Sequence, residues 1–169
     1  MSRADKAARL LTEGLNLFSL PVDPEKVAGE LGAIVVLQPA DSELSGMLLR
    51  REGQTVIGLN PGMEKPRQRF ALAHLVGHLH LHRSRELILD TADRYSHGNL
   101  PSMPTDREEA EANRFAAALL APESVVRRMA VEADFTTAAQ LVDLLAPRFG
   151  LTEAAMAYRL MSLGVILDV

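Results

Sequence analysis

Apolar residues follow a helical period in the first part of the chain. Ala8, Leu11 and Leu15 are spaced three or four residues apart, as on one face of a helix. A second helix is predicted over Pro24–Leu31, because an aspartate and a proline precede it and a glycine follows it. Residues 1–32 are therefore predicted to form N-terminal helices.

The pattern then changes to short runs that are typical of strands. Residues 33–60 contain three of them, separated by turn residues. The predicted strands are Ala33–Leu37, Gly46–Arg50 and Thr55–Leu59. Residues 51–54 indicate a hairpin turn between the last two. The prediction is a small three-stranded sheet.

The remainder of the chain is predicted to be mostly helical. A strong helix over Arg67–Arg83 lies within residues 64–83, and a long polar connection follows at 84–104. Residues 105–169 form the C-terminal helices, with predicted breaks at proline and glycine positions. The whole chain, 1–169, is predicted to be a single α+β domain, mostly helical with a small sheet.

Composition narrows the classes of function. The chain has 169 residues, a net charge of -4 and no cysteine. The charge gives no reason to expect direct binding of nucleic acid, and any metal must be bound by nitrogen and oxygen atoms. No apolar run is long enough to span a membrane, and the N-terminus does not have the pattern of a signal peptide. A cytoplasmic location is expected by default.

Two histidines on the strong helix are candidates for metal ligands. His74 and His78 lie about 40° apart around a helix, so both rings can reach one ion. A chance occurrence of this spacing on an amphipathic helix is the alternative. Gly77 lowers the local helix propensity, which indicates a close approach by another backbone or a harmless weak point.

Three further histidines are weaker candidates for metal ligands. His82 continues the same row and is interpreted as a histidine at the end of the helix, with contact to the metal as the alternative. His80 is expected at the surface, and His97 is expected to be a solvated residue of the long connection.

A carboxylate for the site is sought in the helix predicted from Asp106 to Pro122. Glu109 and Asn113 lie one turn apart on one face, so Glu109 could bind the metal while Asn113 supports a ligand. The acidic first turn of that helix also has a simple explanation, because negative charge stabilises the positive end of the helix dipole.

Two separated motifs resemble the ImmA/IrrE family of bacterial and phage metallopeptidases. The first is RFALAHLVGHLHLH, and the second is EAEANRFA running on to LLAP. The resemblance covers roughly residues 24–166. It implies a zincin-like fold in which His74, His78 and Glu109 bind Zn²⁺ with one open position. It also implies a partner, an XRE-type helix-turn-helix repressor or antitoxin.

One departure from the family pattern concerns the general base. The family has glutamate directly after the first histidine, whereas this chain has Leu75. Leucine cannot transfer a proton, so peptidase activity is predicted to be lost or weak. Asp90 and Asp93 are candidates for a displaced base, whereas Glu111 is predicted to point away from Glu109.

Tyrosines and the C-terminal pattern give two secondary hypotheses. Tyr158 or Tyr95 could donate to an oxyanion near the metal, with core packing as the simpler interpretation of Tyr158. Residues 136–169 resemble a helix-turn-helix but carry few basic residues, so a packing unit is expected.

Three functional hypotheses follow from the sequence. The first is a zinc-binding pseudo-peptidase that recognises a repressor or antitoxin. The second is an active metallo-endopeptidase with a displaced base. The third is an interaction module whose histidines bind no metal.

Overall fold

The structure is a computed structural model, and it describes residues 2–91 and 105–167. In this part of the chain the helices are α1 (Arg3–Gly14), α2 (Pro24–Glu30), α3 (Lys65–Leu81), α4 (Asp106–Leu120), α5 (Glu123–Glu132), α6 (Ala138–Phe149) and α7 (Glu153–Ser162). The strands are β1 (Ala33–Leu37), β2 (Leu44–Arg51), β3 (Gln54–Leu59) and β4 (Leu87–Thr91). The predicted α+β class is confirmed. None of the described helices is long and apolar enough to cross a membrane.

The sheet has four strands in the order β1-β3-β2-β4, so the predicted number of three is corrected. β1 is parallel to β3, whereas β2 is antiparallel to both β3 and β4. The fourth strand begins the segment that was predicted to be a polar connection. Ile88 on β4 pairs with Leu48 on β2, and Leu48 pairs with Ile57 on β3. All three side chains are fully buried, so tertiary burial stabilises a strand whose five residues are a weak local signal.

Helix α3 lies against the sheet and against α4. It starts at Lys65, two residues before the predicted start, because Pro66 is favoured in the first turn. At its other end, the Arg50 guanidinium of β2 donates to the carbonyl oxygens of His78 and Leu79, each at 3.2 Å. This side chain satisfies carbonyl groups that the last turn of a helix leaves without a partner. The end of α3 that carries His78 is thereby held on the sheet.

The two C-terminal helices pack through their apolar faces, as the sequence predicts for a packing unit. Among residues 136–167 the cationic side chains are Arg148 and Arg159. Arg159 is only 3% exposed and donates to the Ala121 carbonyl oxygen and to Asp5. A guanidinium enclosed in this way cannot contact a phosphate.

Candidate metal centre

His74 and His78 face one another across one turn of α3. Their Nε2 atoms are 3.1 Å apart, and the rings meet edge to face with centroids 4.7 Å apart. Both residues are buried, at 3% and 0% exposure. The α-helical period explains the alignment, since residues four apart are neighbours on the helix surface.

Glu109 of α4 completes the cluster. Its Oε1 lies 3.1 Å from His78 Nε2, and its Oε2 lies 3.3 Å from His74 Nε2. A ligand atom from each of the three residues lies within 4.8 Å of the other two. The structure therefore brings together the three residues that were predicted to bind metal, although they are up to 35 positions apart (109 − 74 = 35).

Gly77 allows α4 to come close enough for Glu109 to reach the histidines. A Cβ at this position would lie 3.1 Å from the Ala112 Cα and 3.1 Å from the Phe115 ring. Of the two interpretations of Gly77, close approach by another backbone is therefore the one that the structure confirms. A side chain here would press directly on the helix that carries Glu109.

The geometry of the cluster fits a tetrahedral cation. Ligand atoms about 2.0–2.1 Å from a tetrahedral zinc ion are separated from one another by about 3.3 Å. The two Nε2 atoms are 3.1 Å apart, and the Glu109 carboxylate lies 3.1 Å from His78 through Oε1 and 3.3 Å from His74 through Oε2. Two imidazoles and one carboxylate are also a donor set that zinc accepts with an open position. The residues present therefore fit a metal ion of this kind.

The electrostatics of the cluster favour a cation at its centre. Burial lowers the pKa of His78 to about 4, so its ring is neutral at neutral pH and has a lone pair to offer. Burial acts to raise the pKa of Glu109, but hydrogen bonds from His74 and His78 outweigh it and lower this pKa. Burial also acts to lower the pKa of His74, but Asp90 and Glu109 outweigh it and raise this pKa. The cluster attracts a positive charge, which either a proton or a metal ion can supply.

Asn113 contacts the His74 ring, as predicted for a residue that supports a metal ligand. His74 Nδ1 lies 2.9 Å from Asn113 Oδ1. An amide oxygen accepts, so the proton lies on Nδ1 and the hydrogen bond orients the ring with Nε2 toward the cluster. Asn113 is exposed as a residue, yet its amide oxygen reaches this buried ring.

His82 is not part of the cluster, but it contacts the outer side of His78. The two Nδ1 atoms are 2.9 Å apart, and His82 Nε2 lies 3.1 Å from Glu111 Oε2. His82 is buried, at 7% exposure. Glu111 is not part of the cluster, and sequence reasoning missed its contact with His82. The four-residue spacing of His78 and His82 was the available signal.

His80 is not part of the cluster. His80 is half-buried rather than at the surface, because its ring packs 6.0 Å from the Phe115 ring between α3 and α4. His97 lies outside the described residues.

Leu75, which stands where the family pattern has glutamate, is fully buried. Its Cδ1 atom lies beside the backbone of Gly46 on β2. The side chain fills the core between α3 and the sheet. It supplies no group that could accept or donate a proton in the cleft.

A cleft with a volume of about 620 Å³ borders the cluster. Its lining includes His74 and Glu109, with Asp90 and Thr91 from β4 and Tyr158 from α7. Asp90 Oδ1 lies 3.8 Å from His74 Nε2, so pairing of β4 brings this candidate carboxylate to the site. Tyr158 is 42% exposed and lines the cleft, and it does not belong to the hydrophobic core. The other two candidates, Asp93 and Tyr95, lie outside the described residues.

Comparisons with known proteins agree with this arrangement. The chain is similar in structure to a Mycobacterium tuberculosis transcriptional regulator, with a TM-score of 0.63 and 21% sequence identity. The match covers 95% of this chain and 47% of the regulator, so this chain spans about half of that protein's length. At this identity the likeness shows the fold alone. No curated protein matches the chain. The Peptidase M78 family model, described as the IrrE N-terminal-like domain, matches residues 15–161. The chain therefore belongs to the family of IrrE N-terminal-like domains.

Proposed function

We propose that this domain binds zinc through His74, His78 and Glu109 and has little or no peptidase activity. The observation that carries the proposal is the convergence of two buried imidazole nitrogens and the Glu109 carboxylate, with contacts of 3.1–3.3 Å, and leucine at the position of the usual base. The family is one of metal-dependent peptidases, which supports a metal in this cluster. Zinc itself remains the proposal, supported by the two-nitrogen, one-oxygen donor set.

Each residue of such a site would have a distinct chemical role. When bound, zinc polarises a carbonyl group and lowers the pKa of a water molecule. His74 and His78 would hold it with neutral rings, and Glu109 would neutralise part of its charge. Leu75 would neither accept a proton from the attacking water nor deliver one to the leaving amine. Removal of a general acid or base typically slows a reaction by about 10²–10⁴-fold.

The cleft beside the cluster is proposed to bind a segment of an XRE-type helix-turn-helix repressor or antitoxin. The motifs shared with the ImmA/IrrE family and the match to the IrrE N-terminal-like domain support this class of partner. A domain that keeps the cleft and the metal but lacks the base would bind such a protein without cleaving it. No DNA contact is proposed for this domain.

Elemental analysis of the purified chain tests the metal site. Wild-type protein is expected to contain about one zinc per chain after exposure to Zn²⁺, and Glu109→Gln is expected to lose most of it. Glu108→Gln is the matched control, because Glu108 is the neighbouring carboxylate and binds Arg85 at 2.8 Å instead of the cluster. A wild-type chain without metal would overturn the proposal and support the metal-free interaction module.

Asp90 supports a second candidate function, an active peptidase with a displaced base. Its carboxylate lies 3.8 Å from His74 Nε2 and lines the cleft. A cleavage assay against an XRE-type protein separates the two candidates. Cleavage by wild-type protein that is lost in Asp90→Asn would favour the active peptidase. Binding without cleavage would favour the pseudo-peptidase.

A further inference from the structure

A chain of hydrogen bonds leads from the metal cluster to the far side of α4. His78 Nδ1 lies 2.9 Å from His82 Nδ1, and His82 Nε2 lies 3.1 Å from Glu111 Oε2. Neither His82 nor Glu111 offers an atom to the cluster itself. They nevertheless bear on which nitrogen of His78 carries a proton, because His82 contacts one ring nitrogen and Glu109 contacts the other.

Along these hydrogen bonds the donors and acceptors have one consistent order when both rings are neutral and a metal ion replaces the proton that His78 Nε2 otherwise donates to Glu109. A carboxylate only accepts, so His82 Nε2 must donate to Glu111. The neutral His82 ring then has a lone pair on Nδ1, and this atom must accept from His78 Nδ1. The His78 ring consequently has its lone pair on Nε2, the atom that faces Glu109 and His74.

We propose that Glu111, acting through His82, is a positioning residue that selects the metal-binding tautomer of His78. The inference rests on the proposed zinc site and deepens it. The opposite tautomer would place a proton on Nε2, in the space where a metal must bind. The hydrogen bond also fixes the angle of the His78 ring, since a histidine ligand depends on the partner of its second nitrogen.

Glu111 is itself held in place by cations. Arg107 Nε lies 3.1 Å from Glu111 Oε1 one turn away on α4, and Arg3 Nη1 of α1 lies 3.8 Å from Oε2. Both arginines keep Glu111 as an acceptor rather than as a protonated donor. The series of hydrogen bonds therefore runs from surface arginines through Glu111 and His82 to His78, a ligand of the cluster.

His74 has a separate and shorter support of the same kind. Its Nδ1 contacts Asn113 Oδ1, and Asn113 belongs to the same helix as Glu109 and Glu111. Helix α4 thus provides the carboxylate ligand, the partner of His74, and the carboxylate that contacts His82. Docking of α4 on α3 would assemble the ligands and their orientation together.

Zinc affinity of the full chain, measured by competition with a chromophoric chelator, tests the proposal. His82→Leu removes the acceptor, and we expect zinc affinity to fall by about 10–100-fold. His82→Asn keeps an oxygen acceptor close to the position of Nδ1, so it should retain most of the affinity. Glu111→Leu should weaken binding in the same direction as His82→Leu. His80→Leu, two residues from His82 on α3, should leave zinc affinity unchanged and controls for loss of packing.

The tautomer of His78 can be observed by nitrogen NMR of the metal-free chain. Without a metal, Glu109 favours a proton on Nε2 and His82 favours one on Nδ1, so we expect a larger share of the Nδ1-protonated form in wild-type protein than in His82→Leu. The same ratio of the two tautomers in both proteins would overturn the proposal. Equal zinc affinity of wild-type protein and His82→Leu would also overturn it. Because the NMR measurement needs no metal, it decides this inference even where wild-type protein fails to bind zinc, a failure that concerns the proposed function.

Discussion

Leu75 Cδ1 lies directly beside Gly46, at a point where a side chain on that glycine could not fit. A Cβ on Gly46 would be 2.9 Å from Leu75 Cδ1 and 2.7 Å from the Gly58 carbonyl oxygen. Leu75 is fully buried. The residue that replaces the expected base is therefore part of the packing between α3 and the sheet, and changes at either position affect that packing.

Substitution of Gly46 by alanine is expected to destabilise the fold. The added methyl group would meet a backbone oxygen on β3 as well as Leu75, so the strands must shift, at a cost of about 1–3 kcal/mol. Gly29→Ala is the control, because a Cβ at Gly29 meets nothing within 4 Å and alanine favours the helix. Denaturant unfolding of both variants measures the difference. Equal stability of the two would contradict the packing described for Leu75.

Restoration of the carboxylate by Leu75→Glu is expected to raise peptidase activity. General acid–base catalysis typically contributes about 10²–10⁴-fold, and cleavage of an XRE-type protein in the presence of zinc measures the gain. The buried position also implies a loss of stability, since a carboxylate that enters the core without a partner is costly.

Leu75→Gln controls for that loss of stability. Glutamine has the size and polarity of glutamate but cannot transfer the proton, so it should share the lower melting temperature without the gain in cleavage. A folded, zinc-loaded Leu75→Glu variant that cleaves no better than Leu75→Gln would count against the missing base as the cause of low activity.

Gly77→Ala is expected to weaken metal binding more than it changes stability. Its Cβ would press on Ala112 of α4, three residues from Glu109, while alanine favours α3 by about 1 kcal/mol. A small displacement of α4 moves the carboxylate away from both imidazoles. We therefore expect zinc affinity to fall by about tenfold, similar to the effect of removing a hydrogen-bond partner of a metal ligand. Chelator competition measures the affinity and thermal unfolding measures stability. An unchanged zinc affinity would show that the spacing of α3 and α4 is not critical.

The Asp5–Arg159 ion pair is expected to contribute to stability above acidic pH. Arg159 is 3% exposed and lies 3.1 Å from the Asp5 carboxylate. Asp5→Asn should cost about 2–4 kcal/mol, because it leaves a buried guanidinium with a weaker partner, although partial exposure of Asp5 reduces the effect.

The pH dependence of that ion pair has a definite sign. Partial burial acts to raise the pKa of Asp5, but Ser2 and Arg159 outweigh it and lower this pKa below its ordinary value of 3.8. The contribution is therefore fully present above that value and is lost as the pH falls below it. Denaturant unfolding at a series of pH values should show wild-type protein approaching Asp5→Asn in acid. A constant difference between them would contradict this account.

The sequence by itself determined the parts of the site that depend on local periodicity. The four-residue spacing of His74 and His78 places both rings on one face whenever the segment is helical. The same reasoning applied to Glu109 and Asn113, and the absence of a carboxylate at Leu75 is visible without a structure. The α+β class followed from the order of helical and strand patterns.

Only the tertiary structure decided which distant groups meet. The contact of His78 with Glu109 depends on the packing of α3 against α4, and the place of Asp90 depends on the pairing of β4 with β2. His82 and Glu111 meet for the same reason. Such contacts arise from burial and shape across the whole core, whereas the hydrophobic pattern of a single segment reports only the local helix or strand.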